Sequence, residues 1–328
     1  MGFKILLVGC GQLGSRHLQA IASLKNVTEI CVVDSSQESL DRSKARLGQI
    51  DDLNPEIDFQ WFKEIDYSWT AGDLCIIATQ AKGRCQLLKQ VVQGLGYERF
   101  LIEKIVSQSV EEYEDLLSFC KEKNVSVWVN CKTRTYEIHK YIKSKLKSSE
   151  PIIFSAIGGN YGLANNGVHV VDLFVFYDQA TKLYSCGSKV DEVLHPSKRG
   201  QDILDLSGSL FGYSDKASKF MLTFAADHMS PDHITINTPR CRFIVDHFQK
   251  FAYESYSDQD WTWNKIPIEE EWRVSHMSKK FVSDILTKDT CQLPTIFECF
   301  LAHEFILRGL LLHFNRLLKE ENWSCPVT

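Results

Sequence analysis

Residues 4–8 form an uninterrupted apolar run of strand length. In 12–24, Leu13, Ala20, Ile21 and Leu24 recur at helical spacing, so the chain opens as strand, turn and helix. Residues 29–33 read as a second buried strand, 36–47 as a charged helix, and 74–78 as an apolar strand ending at Thr79. A helix over 83–93 and a strand over 100–103 follow. Ser109 and Glu112 stand at capping-box spacing and open a helix to Lys123, ahead of a strand over 125–130. Apolar strands alternating with helices predict the α/β class, here a doubly wound parallel sheet of the Rossmann kind. From about residue 150 the rhythm changes. A strand over 152–157 precedes one apolar helix and then short strands over 220–224, 233–237 and 242–246, the pattern of an α+β domain with a mixed or antiparallel sheet. Residues 295–318 close the chain as a periodic helix with Thr295 after Pro294 as its cap. We therefore expect one domain over 1–130 and a second over 131–328 that includes the closing helix.

The length, 328 residues, suits two domains. Lys plus Arg number 37 and Asp plus Glu 42, a formal charge of −5, and no basic run is long enough to track a phosphate backbone, which argues against nucleic acid as a partner. A hydrophobic share of 44% with 24% charged residues excludes general disorder. No apolar stretch is long enough for a membrane span, and His169 and Asp172 interrupt the best candidate, 168–177. The first residues lack the apolar core and cleavage site of a secretory signal, so a cytoplasmic protein is expected. The 11 cysteines are odd in number and include no CxxC pair, as expected of reduced thiols with no metal site. His228 and His233 flank Ser230-Pro231 without an evident third ligand.

Gly9-Cys10-Gly11-Gln12-Leu13-Gly14 lies directly between the first strand and the first helix, the context a dinucleotide fingerprint requires. Gly9 permits the tight turn, Gly11 a close approach of backbone to a pyrophosphate, and Gly14 close helix packing. Asp34 ends the second strand 20 residues after Gly14, where a carboxylate accepts from an adenosine ribose and repels a 2′-phosphate. NAD is thus favoured over NADP, although Arg42 stands nearby. Ligands of an open parallel sheet bind beyond the carboxyl ends of its strands, which singles out Thr79, Glu103, Lys104 and residues 130–134. Lys104 can donate to a substrate hydroxyl. His169 and Asp172, three apart on a helix, share a face, so the carboxylate can orient an imidazole that takes a hydroxyl proton. The plain alternatives are a solvated surface lysine, a buried structural histidine and, for Asp34, a helix cap.

With this fingerprint, Glu103-Lys104 and Gly167-x-His169-x-x-Asp172, the chain resembles the glucose-fructose oxidoreductase and inositol dehydrogenase family over nearly its whole length. The resemblance implies a Rossmann domain joined to an open-faced mixed sheet, acting on sugars, polyols or nucleotide sugars with NAD(P). The family's Glu-Lys-Pro is Glu103-Lys104-Ile105 here, and its Asp four residues before the His is Asn165. By resemblance Lys104 polarises the substrate oxygen, His169 is acid or base, and Asn165 only hydrogen-bonds. The cofactor set would be Gly9, Gly11, Gln12, Leu13, Gly14, Asp34, Thr79, Glu103 and Lys104; Lys104, Arg134, Asn165, His169 and Asp172 would meet the substrate. The apolar residues 170–176 resemble versions from surface-polysaccharide and acidic-sugar pathways. An exposed sheet face predicts a homodimer or homotetramer. A dinucleotide-binding regulator or scaffold of the same fold is the alternative, and a lyase or epimerase working through a transient ketone would share nearly the same residues.

Overall fold

The computed structural model describes residues 2–159, 162–197, 200, 202–227 and 230–328; His228 lies outside them. The chain divides into two compact units, the first made of Met1–Ser107, Glu111–Asn130 and Glu271–Glu298, the second of Gln108–Val110, Cys131–Glu270 and Cys299–Thr328.

In the first unit, β1 (Phe3–Val8), α1 (Gly14–Ile21), β2 (Val27–Val33), α2 (Gln37–Leu47), β3 (Asp58–Phe62), β4 (Leu74–Ile77), α3 (Arg84–Leu95), β5 (Arg99–Ile102), α4 (Val110–Lys123) and β6 (Ser126–Val129) alternate as predicted. The strands form one parallel sheet in the order β3-β2-β1-β4-β5-β6. This is the doubly wound order whose direction of winding reverses beside β1, the strand that leads into the glycine turn. The Ser36 hydroxyl caps α2 by accepting from Ser39 N. β3 was not predicted. Its sequence, Asp-Phe-Gln-Trp-Phe, alternates polar and aromatic residues because an edge strand is only half covered.

In the second unit, α5 (Glu137–Lys145) leads to β7 (Ile153–Gly159), α6 (Leu163–Asp178) and β8 (Leu183–Val190). The strands β9 (His195–Pro196) and β10 (Leu204–Asp205) pair only with each other. Then come β11 (Gly208–Ser214), β12 (Lys219–Ala225), β13 (His233–Asn237), β14 (Cys241–Asp246), β15 (Phe251–Tyr256) and β16 (Asn264–Pro267). Eight strands form a mixed sheet, β16-β15-β14-β13-β7-β12-β11-β8, antiparallel except where β12 runs parallel to β7. Period-two alternation sets its faces. On β7, Phe154 and Ala156 point inward, with Phe154 against the Phe174 ring of α6, while Ile153, Ser155 and Ile157 point outward. Ile153, Ile157, Tyr184 and Tyr213 leave this sheet with exposed apolar groups.

The chain then returns to the first unit as α7 (Val274–Lys288), a helix absent from the sequence reading. Phe281, Val282, Ile285 and Leu286 join Leu18, Ile21, Ile5 and Leu7 in one apolar cluster. Each such side chain contributes about 1.5–3 kcal/mol on burial, enough to make a mostly polar helix part of the core. Last comes α8 (Ile296–Leu318), whose Phe305 packs on Phe220 of the second unit's sheet. No helix among the described residues is long and apolar enough to cross a membrane.

A polar chain runs through the second unit. Tyr177 Oη meets His139 Nδ1 at 2.6 Å, and His139 Nε2 meets His247 Nε2 at 2.8 Å. Burial, and for His139 the neighbouring His247, drives both imidazoles down, His247 to about 4. Because the folded values lie below the unfolded value of about 6.5, the unfolded chain takes up protons first, and stability is lost as pH falls from about 6.5 toward 4. His247→Phe is expected to flatten that stretch of the stability curve, measured as the urea midpoint at pH 7 and pH 5.

Candidate functional site

The first half of the candidate site is the turn after β1. Gly9 has φ +86°, and a Cβ there would lie 2.8 Å from Thr79 N at the end of β4. A Cβ on Gly14 would sit 1.9 Å from Gly9 O, whereas one on Gly11 would meet nothing within 4 Å. The glycines therefore serve different ends: two are demanded by the protein's own packing, and the third leaves open space. Beside that space the N–H groups of Gln12 and Leu13 have no acceptor among the described residues, and they point the positive end of α1 outward. A pyrophosphate fits this cradle. Asp34 borders it, with Oδ2 accepting from Cys10 N at 2.7 Å and Oδ1 from Ser36 N at 2.9 Å. Arg42 is engaged by Glu38 at 2.5 Å, and Arg46 donates to Gln12 O and Gln12 Oε1, so α2 braces the turn.

Behind the turn lies a buried network. Glu103 Oε1 meets His17 Nε2 at 2.7 Å and accepts from Asn130 Nδ2 at 2.6 Å, while His17 Nδ1 meets Ser278 Oγ at 2.9 Å. Burial pushes the Glu103 carboxyl up. The His17 bond and charge, the Asn130 amide and the Lys104 charge outweigh it and hold the group below the usual carboxylate range. The Glu103 carboxylate is thus turned inward to His17 and Asn130 and frames the site from behind. Lys104 follows, 5% exposed, which excludes the solvated alternative. The carbonyls on either side of it are pinned: the buried Arg84 guanidinium donates to Glu103 O at 2.7 Å, to Ile105 O and to Thr79 O. The Lys104–Ile105 peptide is cis. His17, Arg84 and Ser278 went unremarked in the sequence, although the spacing of His17 three residues after Gly14, on the helix that the turn opens, was a usable signal.

In the second unit α6 carries Asn165, His169 and Asp172. The Asp172 carboxylate accepts from Arg134 Nε at 2.8 Å and Nη2 at 2.6 Å, a bidentate pair with both side chains buried. The two residues expected to face a substrate thus face each other, and the Asp172 carboxylate ties α6 to the turn Lys132–Thr135. Asn165, 2% exposed, donates from Nδ2 to Leu204 O and Asp205 Oδ2 and accepts from Thr328 N at 2.8 Å. It is held by the protein rather than offered to a hydroxyl. His169 is half-buried. Cys131, Asp172 and Cys299 bring three ligand-type atoms within 4.8 Å of one another, a juxtaposition that spacing along the chain does not reveal. The set suits a metal poorly, because a guanidinium already occupies Asp172 and burial pushes the Cys299 thiol well up, keeping it protonated.

Glu103→Gln tests the frame. It should cost about 2 kcal/mol of stability, read as a lower denaturation midpoint at neutral pH. In the native protein the carboxylate's contribution is complete above the unfolded value of about 4.3 and lost as pH falls through the lower folded value, so the two proteins should converge in acid.

Residues 3–131 match the model of an oxidoreductase family with an NAD-binding Rossmann fold. No curated protein matches the sequence. Among solved structures, the chain is similar to an oxidoreductase from Agrobacterium radiobacter in complex with NAD+, L-tartaric acid and magnesium, at 12% identity and TM-score 0.71, over 93% of this chain and 94% of that one. UDP-N-acetylglucosamine 3-dehydrogenase from Acidithiobacillus ferrooxidans is similar at 13% identity and TM-score 0.69, over 98% and 99%. A 3-ketoreductase from Actinomadura kijaniata, in complex with NADP and TDP-benzene, is similar at 12% identity and TM-score 0.71, over 93% and 96%.

Proposed function

We propose that the chain, whose residues 3–131 match the model of the oxidoreductase family with an NAD-binding Rossmann fold, is a dehydrogenase or reductase of a hydroxyl or keto group on a sugar, polyol or nucleotide sugar. The observation that carries the reading is the open Gly11 cradle with the unaccepted N–H groups of Gln12 and Leu13 beside it. When bound, the nicotinamide supplies or takes the hydride. The chain's own residues do the rest. The turn Gly9–Gly14 holds the pyrophosphate and Asp34 accepts from the adenosine ribose, its charge favouring NAD over NADP. Lys104, whose flanking carbonyls Arg84 holds, donates to the substrate oxygen. His169 takes the hydroxyl proton in oxidation and returns it in reduction. A sugar-type substrate is supported by the names of two similar structures, a nucleotide-sugar 3-dehydrogenase and a 3-ketoreductase holding a TDP compound. A role in making surface polysaccharide, in the cytoplasm, accords with such a substrate.

Titration with NADH and, separately, NADPH, followed by energy transfer from tryptophan to nicotinamide, should show tighter binding of NADH. Binding of neither would sink the reading. Lys104→Ala and His169→Ala should each lower hydride transfer at least 100-fold, screened across sugars and nucleotide sugars, while leaving NADH affinity within about threefold. NADH binding without turnover of any of these by the unaltered chain would favour the regulator instead.

The outward face of the second unit's sheet, with Ile153, Ile157, Tyr184 and Tyr213 exposed, is proposed to join copies of the chain as a homodimer or homotetramer. Light scattering at micromolar concentration should give a multiple of 37.6 kDa; a monomer would contradict it.

A further inference from the structure

α6 starts after Gly162, which has no side chain to cap it, and the cap comes from the neighbouring two-stranded ladder. Asp205 of β10 accepts through Oδ1 from the N–H groups of Ala164 at 2.9 Å, Asn165 at 3.3 Å and Leu206 at 2.8 Å, and through Oδ2 from Asn165 Nδ2 at 2.9 Å. A Cβ on Gly162, at φ +88°, would lie 2.2 Å from Asp205 Oδ2, so the approach of the carboxylate needs glycine there. The arrangement also explains the amide at 165. An Asp in that place would set two carboxylates at hydrogen-bond distance, and one of them would have to be protonated.

Residues four apart on a helix are neighbours on one face, with Cβ atoms roughly 5–6 Å apart. His169 is therefore one turn beyond the Asn165–Asp205 pair. A carboxylate seated on the first N–H groups of α6 offsets the positive end of the helix and favours an imidazolium one turn further along. The nearby carboxylates are already engaged, Asp178 at the far end of α6 accepting from Ser218 Oγ. Asp172, three residues beyond His169, is paired with Arg134, and Asp191 accepts from Ser207, whose Oγ meets His195 Nε2 at 3.1 Å.

We infer that Asp205 is a positioning residue for His169: it supplies, from β10, the single carboxylate at the head of the helix that carries the acid–base group, and Asn165 is the amide that seats it. The inference rests on the proposed role of His169. In effect the negative charge belongs to the pair 165/205, and it should be possible to move it from one member to the other.

The test is a charge relocation in the full chain, read by NMR titration of the His169 imidazole with selectively labelled histidine and by thermal denaturation. Asp205→Asn should lower the His169 pKa by about half a unit or more, a loss of roughly threefold in proton affinity. Asn165→Asp alone should lower the melting temperature, because two carboxylates then abut. The double variant Asn165→Asp/Asp205→Asn should recover the His169 pKa. A cap that merely holds the helix predicts a lower melting temperature in Asp205→Asn with an unmoved His169 pKa, and that result overturns the inference. If Asp205→Asn does not fold, Asp205→Ser keeps an acceptor for the helix N–H groups without the charge and makes the same comparison. The titration needs no substrate. A chain that shows the coupled shift and yet transfers no hydride would count against the proposed reaction alone.

Discussion

A carboxylate taken out of water must find partners or give up its charge, and in the first unit Glu103 has found them in His17 and Asn130. Four elements meet at this one group. Glu103 directly follows β5, His17 lies on α1 just after the glycine turn, Asn130 directly follows β6, and Ser278 of α7 holds the far nitrogen of His17. The position of the turn relative to the strand that delivers Lys104 is therefore set by a single ionic centre, with Arg84 fixing the carbonyls around it. A network of this kind is rigid when complete and costly when any member is lost, which makes it a frame for the ligand-bearing turn rather than a part of the chemistry.

The second unit follows the same principle with different partners. Arg134 and Asp172 neutralise one another inside it, and Asn165 spends its amide on Leu204, Asp205 and the backbone of Thr328. On the same helix His169 is half-buried, and Asn165 and Asp172 hold the helix in place.

The succession of β1, β2, β4, β5 and β6 and the position of the glycine turn were legible because each is written in local pattern: apolar runs of strand length and glycine at fixed spacing. β3 and α7 were not, since half-covered elements carry a diluted hydrophobic signal, and what makes α7 part of the core is Leu18 and Ile21, some 260 residues away in the chain. In the site, the glycines, Asp34, Lys104 and His169 could be chosen from motif and position. The partners that decide what Glu103, Asn165, Arg134 and Asp172 do could not, because a side chain's hydrogen bonds are set by contacts such as Asn165 with Asp205 that no spacing encodes.

The return of Glu271–Glu298 to the first unit makes that unit discontinuous in the chain. During synthesis the parallel sheet and α1 emerge early, yet the helix that covers Leu18 and Ile21 is made only after the stretch Cys131–Glu270 of the second unit. At roughly 5–20 residues per second that interval is on the order of ten seconds or more. For that time the nascent nucleotide-binding sheet shows an uncovered apolar flank, a natural client surface for chaperones bound at the ribosome. A fragment ending at residue 130 would show it permanently, so the first unit is a fold the chain can finish only once α7 has been made.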